Sequence, residues 1–304
     1  MRTLLIPLLL AAPLALARKP VVEPDPPKPT PPRSTAEILE QSPASDWEAI
    51  PPDDLVVMDV GGRIVVMELA PVMAPQNVAN IRTLIRGGYF DGLAIVRSHD
   101  NYVVQWADPA EESDQARPLG DAKATVPGEF SRSAQGVTVT PLDAPDAYAD
   151  RVGFVDGFPV GGSGDRLWMA HCYGAIGVAR GMAHDSGNGS SLYVVTGHAP
   201  RHLDANITLV GRVIDGIEVL SALPRGSGPL GFYTEDEATT PITSIRLASS
   251  LPEGERPVWE RLRTGSQTFA DVVESRKYRH NEWFAHPVGR IGLCNVPLPR
   301  REVP

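Results

Sequence analysis

From residue 55 to residue 108 the apolar positions change period twice. Leu55–Val60 and Arg63–Leu69 are β-rich runs on either side of Gly61-Gly62, the pattern of a tight hairpin. In Ala74–Arg86 the apolar residues Val78, Ile81, Leu84 and Ile85 fall at helical spacing. Pro75 suits the first turn of that helix and Gly87-Gly88 its end. Phe90-Asp91-Gly92 then predicts a turn. Leu93–Arg97 and Tyr102–Trp106 predict two strands separated by the polar loop Ser98–Asn101. A last strand is predicted over Pro241–Leu247, with Ile242, Ile245 and Leu247 as its apolar members.

The flanks read differently. Ser34-Thr35-Ala36-Glu37 has the capping-box form, so a short helix should run to about Gln41, where Ser42-Pro43 stops it. Trp47 offers an anchor, which makes 34–54 an N-terminal helical arm. Residues 109–169 look irregular, and Gly161-Gly162-Ser163-Gly164-Asp165 reads as a plain loop. Phe154, Val155, Phe158 and Val160 could pack that region down. Past Pro252, Val258, Leu262, Phe269 and Val273 are spaced as a helical stripe weakened by Gly265. Trp283, Phe284 and Pro287 are expected to pin this extension, residues 251–304, to the domain.

Composition narrows the function classes. The 304 residues are 42% hydrophobic and 21% charged, a globular balance. The net charge of -9 comes with no basic cluster, which argues against a partner held through phosphates. Arg2, the apolar stretch Leu4–Leu14 and Ala15-Leu16-Ala17 form a leader pattern over 1–17 with an A-x-A cleavage signal. Export, to a bacterial periplasm or beyond the cell, is the expectation. Residues 18–33 are so proline-rich that they predict an extended spacer. The cysteines are Cys172 and Cys294. A disulfide between them and a pair of buried thiols both stay open, since sequence does not give their separation.

Arg97 is the candidate for chemistry. It ends a strand among apolar neighbours, where a guanidinium needs a partner or a task. The turn-strand-loop-strand unit around it resembles the signature of the cyclophilin-type peptidyl-prolyl isomerases. That family shows a Tyr/Phe-Asp-Gly turn, a strand ending Phe-His-Arg, and a strand running to Gln-Gly-Gly-Asp. The residues here are Phe90-Asp91-Gly92, Ile95-Val96-Arg97 and Gln105-Trp106-Ala107-Asp108. Ala74-Pro75-Gln76-Asn77-Val78-Ala79-Asn80-Ile81 resembles the family's Ala-Pro-x-x-Val-x-Asn-Phe helix start, and Val126–Phe130 its Pro-x-Glu-Phe element. Further along, Gly174–Arg180, Asn188–Val194, His202-Leu203-Asp204, Leu209–Val213 and Asp215–Leu220 match family blocks in the family's order. The resemblance spans about 55–250, interrupted by an insertion at about 131–166.

The resemblance implies a mainly β fold: a closed antiparallel cyclophilin-like β-barrel capped by two helices, here with a helical C-terminal extension. It implies a peptidyl-prolyl cis-trans isomerase that needs no cofactor or metal and takes Pro-containing polypeptide segments as partners. Arg97 would be catalytic, donating to the prolyl nitrogen, and Gln105 would hold the substrate carbonyl. Tyr102, Val103, Tyr193 and Leu203 would line the proline pocket, and Ala179 and Arg180 would meet the substrate backbone. Ser191, His202 and Ile207 occupy further binding positions but depart from the family. Ser191 replaces an anchoring glutamine, His202 the tryptophan of some members, and Ile207 a histidine near the pocket. Trp106 and Ala107 replace two glycines and could crowd Gln105.

Two functions follow as expectations. One is an isomerase assisting the folding of exported proteins. The other is a non-catalytic adaptor that binds Pro-containing segments, with the insertion or tail carrying the partner contact. His198 and His202 flank Pro200 and read as loop histidines, not metal ligands.

Overall fold

The computed structural model describes residues 33–279 and 283–303. The leader and nearly all of the proline-rich spacer expected from the sequence lie outside the described residues. The described part opens with helix α1, Thr35–Glu40, whose capping box is formed in full by Ser34 and Glu37. Strand β1, Trp47–Ala49, follows, so the arm is helical only in its first part.

The hairpin is β2 (Leu55–Val60) and β3 (Arg63–Leu69). Gly61 and Gly62 take φ of 57° and 81°, the left-handed conformation that this two-residue turn demands. Helix α2 spans Pro75–Arg86. Its N-cap, Ala74, has no side chain to offer the free N–H groups. Glu129 does that instead, accepting from the backbone N–H groups of Gln76 (3.1 Å) and Asn77 (2.9 Å). Strands β4 (Ala94–Ser98) and β5 (Val103–Ala107) carry the stretch around Arg97.

The region expected to be irregular is a sheet. Strands β6 (Arg132–Ser133), β7 (Thr140–Leu142), β8 (Arg151–Val155), β9 (Phe158–Ser163) and β10 (Arg166–Met169) pair in the order β6-β10-β9-β8-β7. Gly161 to Ser163 are therefore strand, not loop. The strand is close-packed at both glycines: a Cβ would lie 2.8 Å from Trp168 Nε1 at Gly161 and 2.8 Å from Leu167 Cδ2 at Gly162. Phe154, Val155, Phe158 and Val160 are buried, as expected.

The chain then returns through β11 (Ala175–Val178), β12 (Leu192–Val195), β13 (Leu209–Asp215), helix α3 (Ile217–Ser221) and β14 (Ile242–Leu247). The eight-stranded sheet runs β14-β2-β3-β13-β11-β12-β5-β4. Its two edges meet: Ala94 bridges Pro241, and the Ile95 N–H donates to Thr240 O at 3.0 Å. The sheet thus closes on itself as a barrel. Strand alternation sends Val104, Trp106, Leu192, Val194 and Ile176 inward to meet α2 and α3 residues such as Val78, Ile81 and Leu220. The alternate positions face outward.

The extension is not one helical stripe. Val258 and Leu262 lie on strand β15 (Val258–Leu262), while Phe269 and Val273 lie on helix α4 (Gln267–Lys277). Gly265 falls between them, and Ser266 caps α4. With β16 (Arg300–Val303), β15 and β1 make a three-stranded sheet, so the first and last parts of the described chain are joined. Trp47 is buried there with Leu262, Phe269, Val272 and the insertion residues Leu142 and Phe154. Trp283 is 82% exposed and Pro287 is exposed, unlike buried anchors. Ile291, Leu293 and Val296 are buried and pin the tail, beside a disulfide between Cys172 and Cys294.

Candidate functional site

The site lies on the outer face of the barrel wall formed by β4, β5, β12 and β11. In β5 the pleat turns Val104 and Trp106 into the core and leaves Val103, Gln105 and Ala107 outside. Trp106 is fully buried in the barrel and does not crowd Gln105, contrary to the expectation from sequence. A bulge between Ile95 and Arg97 lets Arg97 stand opposite Gln105, on the same face.

Arg97 is held from several sides. Its Nη1 donates to Gln105 Oε1 at 3.3 Å, and its Nε donates to the Leu230 carbonyl at 2.7 Å. Nη2 lies 3.1 Å from His99 Nδ1. The guanidinium carbon sits 5.6 Å from the centroid of the Tyr102 ring and 5.2 Å from that of Phe232. Among the described residues, no carboxylate pairs with it. Burial holds its pKa below the ordinary arginine value, with the Tyr102 and Tyr193 hydroxyls opposing. A guanidinium is not deprotonated in proteins, so Arg97 is a cationic donor.

Gln105 continues the chain of hydrogen bonds. Its Nε2 donates to Ser191 Oγ at 3.0 Å. Ser191 thus stands in contact with Gln105, where the sequence suggested a weakened anchor. Tyr102, Val103, Ala179, Tyr193 and Ile207 belong to one apolar cluster beside this row. Tyr193 pairs with Gln105 across β12 and β5, and Val195 with Val103. Arg180 is turned to the rim: Nε and Nη2 donate to Asn206 O, and the guanidinium lies 5.2 Å from the Phe130 ring centroid.

His202 and Leu203 sit on a short 3₁₀ turn, Arg201–Leu203, the former exposed and the latter half-buried. That turn also presents Arg201 and Asp204, both buried. Sequence reasoning gave no role to Leu230, Phe232 and His99, which surround Arg97, or to His171 and Asp204, which lie behind Tyr193. His171 had a signal, a polar residue inside the run Leu167–Ala175. Phe232 had none, because a loop aromatic 135 positions beyond Arg97 shares no pattern with it.

Chemically, the row offers a fixed cationic donor beside an apolar seat, with a neighbouring amide to hold a carbonyl. It suits a reaction in which an electron pair becomes localised next to a ring.

The comparisons point the same way. Residues 55–249 match the family model described as cyclophilin type peptidyl-prolyl cis-trans isomerase/CLD. A probable peptidyl-prolyl cis-trans isomerase of Brucella suis is 24% identical over 186 residues, covering 59% of this chain and 76% of that protein. Its Brucella abortus counterpart is 23% identical over the same length, with the same coverage. Among solved structures, the cyclophilin AquaCyp293 from Hirschia baltica matches with a TM-score of 0.67 at 26% identity. That match covers 84% of this chain and 93% of the other, so it reaches beyond the family-matched segment.

Proposed function

The chain belongs to the cyclophilin-type peptidyl-prolyl cis-trans isomerases, and on that premise we propose that it isomerises Xaa-Pro bonds in exported proteins as they fold, with Arg97 as the catalytic donor. The observation that carries the reading is a half-buried arginine beside an apolar seat, among the described residues without a carboxylate partner.

The physical task is narrow. Resonance between the nitrogen lone pair and the carbonyl sets a barrier of about 18–20 kcal/mol to rotation of a peptide bond. Before proline both isomers are populated, and exchange unaided takes roughly tens to hundreds of seconds. In the twisted transition state the lone pair returns to the prolyl nitrogen. A donor aimed there interacts with the twisted state more strongly than with either planar one, which lowers the barrier. Arg97 is that donor. Gln105 and the aromatic faces of Tyr102 and Phe232 hold its plane, and partial burial strengthens its field. Tyr102, Val103, Ala179, Tyr193 and Ile207 seat the proline ring, with Leu203 at the margin. Gln105 meets the carbonyl, and Ala179 and Arg180 lie along the polypeptide. The step needs no nucleophile and no redox partner.

Export is supported by the leader pattern of residues 1–17 and by the disulfide, which suits an oxidising compartment. No helix among the described residues is long and apolar enough to cross a membrane.

The test is refolding of an exported protein whose slow phase is limited by an Xaa-Pro bond. Catalytic amounts of the full chain should shorten that phase. An unchanged slow phase, alongside accelerated exchange in free Ala-Pro peptides, would remove the folding role and leave the isomerase. Binding without acceleration of either would instead support the adaptor.

A further inference from the structure

Tyr193 brings a hydroxyl into a largely apolar cluster, at 5% exposure. A buried hydroxyl without a partner is costly and would present a polar atom to a proline ring. Its partner is the fully buried His171, whose Nε2 lies 2.9 Å from the Tyr193 oxygen. His171 Nδ1 lies 2.9 Å from Asp204 Oδ1, an oxygen that also accepts the His171 backbone N–H at 2.9 Å. Asp204 Oδ2 accepts from Arg201 Nε at 2.5 Å. The remaining guanidinium nitrogens of Arg201 donate to both oxygens of Asp146, at 2.8 and 3.0 Å. Asp146 belongs to the insertion.

The direction of the hydrogen bonds follows from this chain. Asp204 already accepts from the His171 backbone N–H and from Arg201, so His171 Nδ1 donates to it as well. His171 Nε2 then faces the Tyr193 hydroxyl at 2.9 Å and holds it by a hydrogen bond. Gly177 makes the arrangement fit. It pairs with Tyr193 across β11 and β12. A Cβ there would lie 2.2 Å from Tyr193 Cζ and 2.3 Å from its oxygen. Three separate positions thus serve one phenol.

We propose that His171 is a positioning residue for the proline seat, drawing the Tyr193 hydroxyl out of it so that the substrate ring meets only an aromatic face. This rests on the reading of the outer-face cluster as that seat. Through Arg201 and Asp146, the insertion takes part in setting the seat's shape.

The experiment is a double-mutant cycle on the full chain, reading the Kd of an Ala-Pro peptide by NMR titration and the cis-trans exchange rate in the same samples. His171→Asn keeps a group near Asp204 but places nothing at Nε2, whereas His171→Gln reaches the hydroxyl. His171→Asn should weaken binding about tenfold, and His171→Gln by less than about twofold. In a Tyr193→Phe background, His171→Asn should change binding by less than about twofold. Equal loss in both backgrounds, or no loss in the first, overturns the inference. If His171→Asn does not fold, the ¹⁵N resonance of His171 Nε2 decides. Peptide saturation should move it in the unaltered chain and not in Tyr193→Phe, and an unmoved resonance overturns the inference. Binding without acceleration refutes the isomerase but not the positioning role. Acceleration without coupling does the reverse, and absence of binding by the unaltered chain overturns both.

Discussion

Arginine is used in opposite ways at two places in this molecule. On one side of the barrel, Glu68 is fully buried and accepts from two arginines of the extension: Arg261 Nη1 at 2.7 Å and Arg300 Nε at 2.9 Å. Arg261 also reaches Glu48 at 2.5 Å. Burial pulls the Arg261 pKa down, but the carboxylates of Glu68 and Glu48 outweigh it and hold the group above its ordinary value. At the site, Arg97 has a carbonyl, an imidazole, an amide and two rings for company, and burial wins. The first arrangement neutralises arginine and spends it on docking one element onto another. The second fixes the geometry of the guanidinium without pairing its charge to a carboxylate among the described residues, as the proposed donor role requires.

The sharpest way to break the first side is Glu68→Ala. It strands Arg261 and Arg300 in the interior and should destabilise the chain by about 3–5 kcal/mol, read by denaturant unfolding. Turnover per folded molecule should stay within about twofold, since Glu68 makes no contact with Arg97. Next is the disulfide. Reducing Cys172–Cys294, whose residues are 122 apart in sequence, should cost about 2–4 kcal/mol and lower the melting temperature in a reductant series. The smallest effect belongs to the site itself: Phe232→Ala removes one of the two rings beside the guanidinium. About 1 kcal/mol of orientation should be lost, seen as a roughly fivefold drop in kcat/KM with little change in stability. A large stability loss there would mean that Phe232 belongs with the docking residues, and the contrast would blur.

The barrel was legible because its strands carry their own turn chemistry and alternation. The hairpin at Gly61-Gly62, the helix opened by Pro75 and the turn at Phe90-Asp91-Gly92 are specified locally. Arg97 and Gln105 were legible through the family pattern. The insertion was not, because short strands such as Arg132–Ser133 and Thr140–Leu142 carry too few residues to show a period, and glycines at 161 and 162 imitate a loop. The extension misled for another reason. Val258 and Leu262 sit four apart, a spacing that fits one turn of helix as well as alternate positions on one strand face. Trp106 looked obstructive only while its face was unknown; one step along a strand turns a side chain from groove to core. The Tyr193–His171–Asp204 chain joins residues from three separate blocks, so only the fold brings it together.

In the proposed reaction Arg97 supplies the donor. The direct measurement is NMR exchange spectroscopy of an Ala-Pro peptide with the full chain and with Arg97→Ala, at matched concentrations and confirmed folding. The unaltered chain should accelerate exchange, and Arg97→Ala should lose about 10²–10³-fold of that acceleration while unfolding within about 1 kcal/mol of the parent. Unchanged acceleration in Arg97→Ala would contradict the account and return Arg97 to the class of structural arginines that Arg261 and Arg300 exemplify.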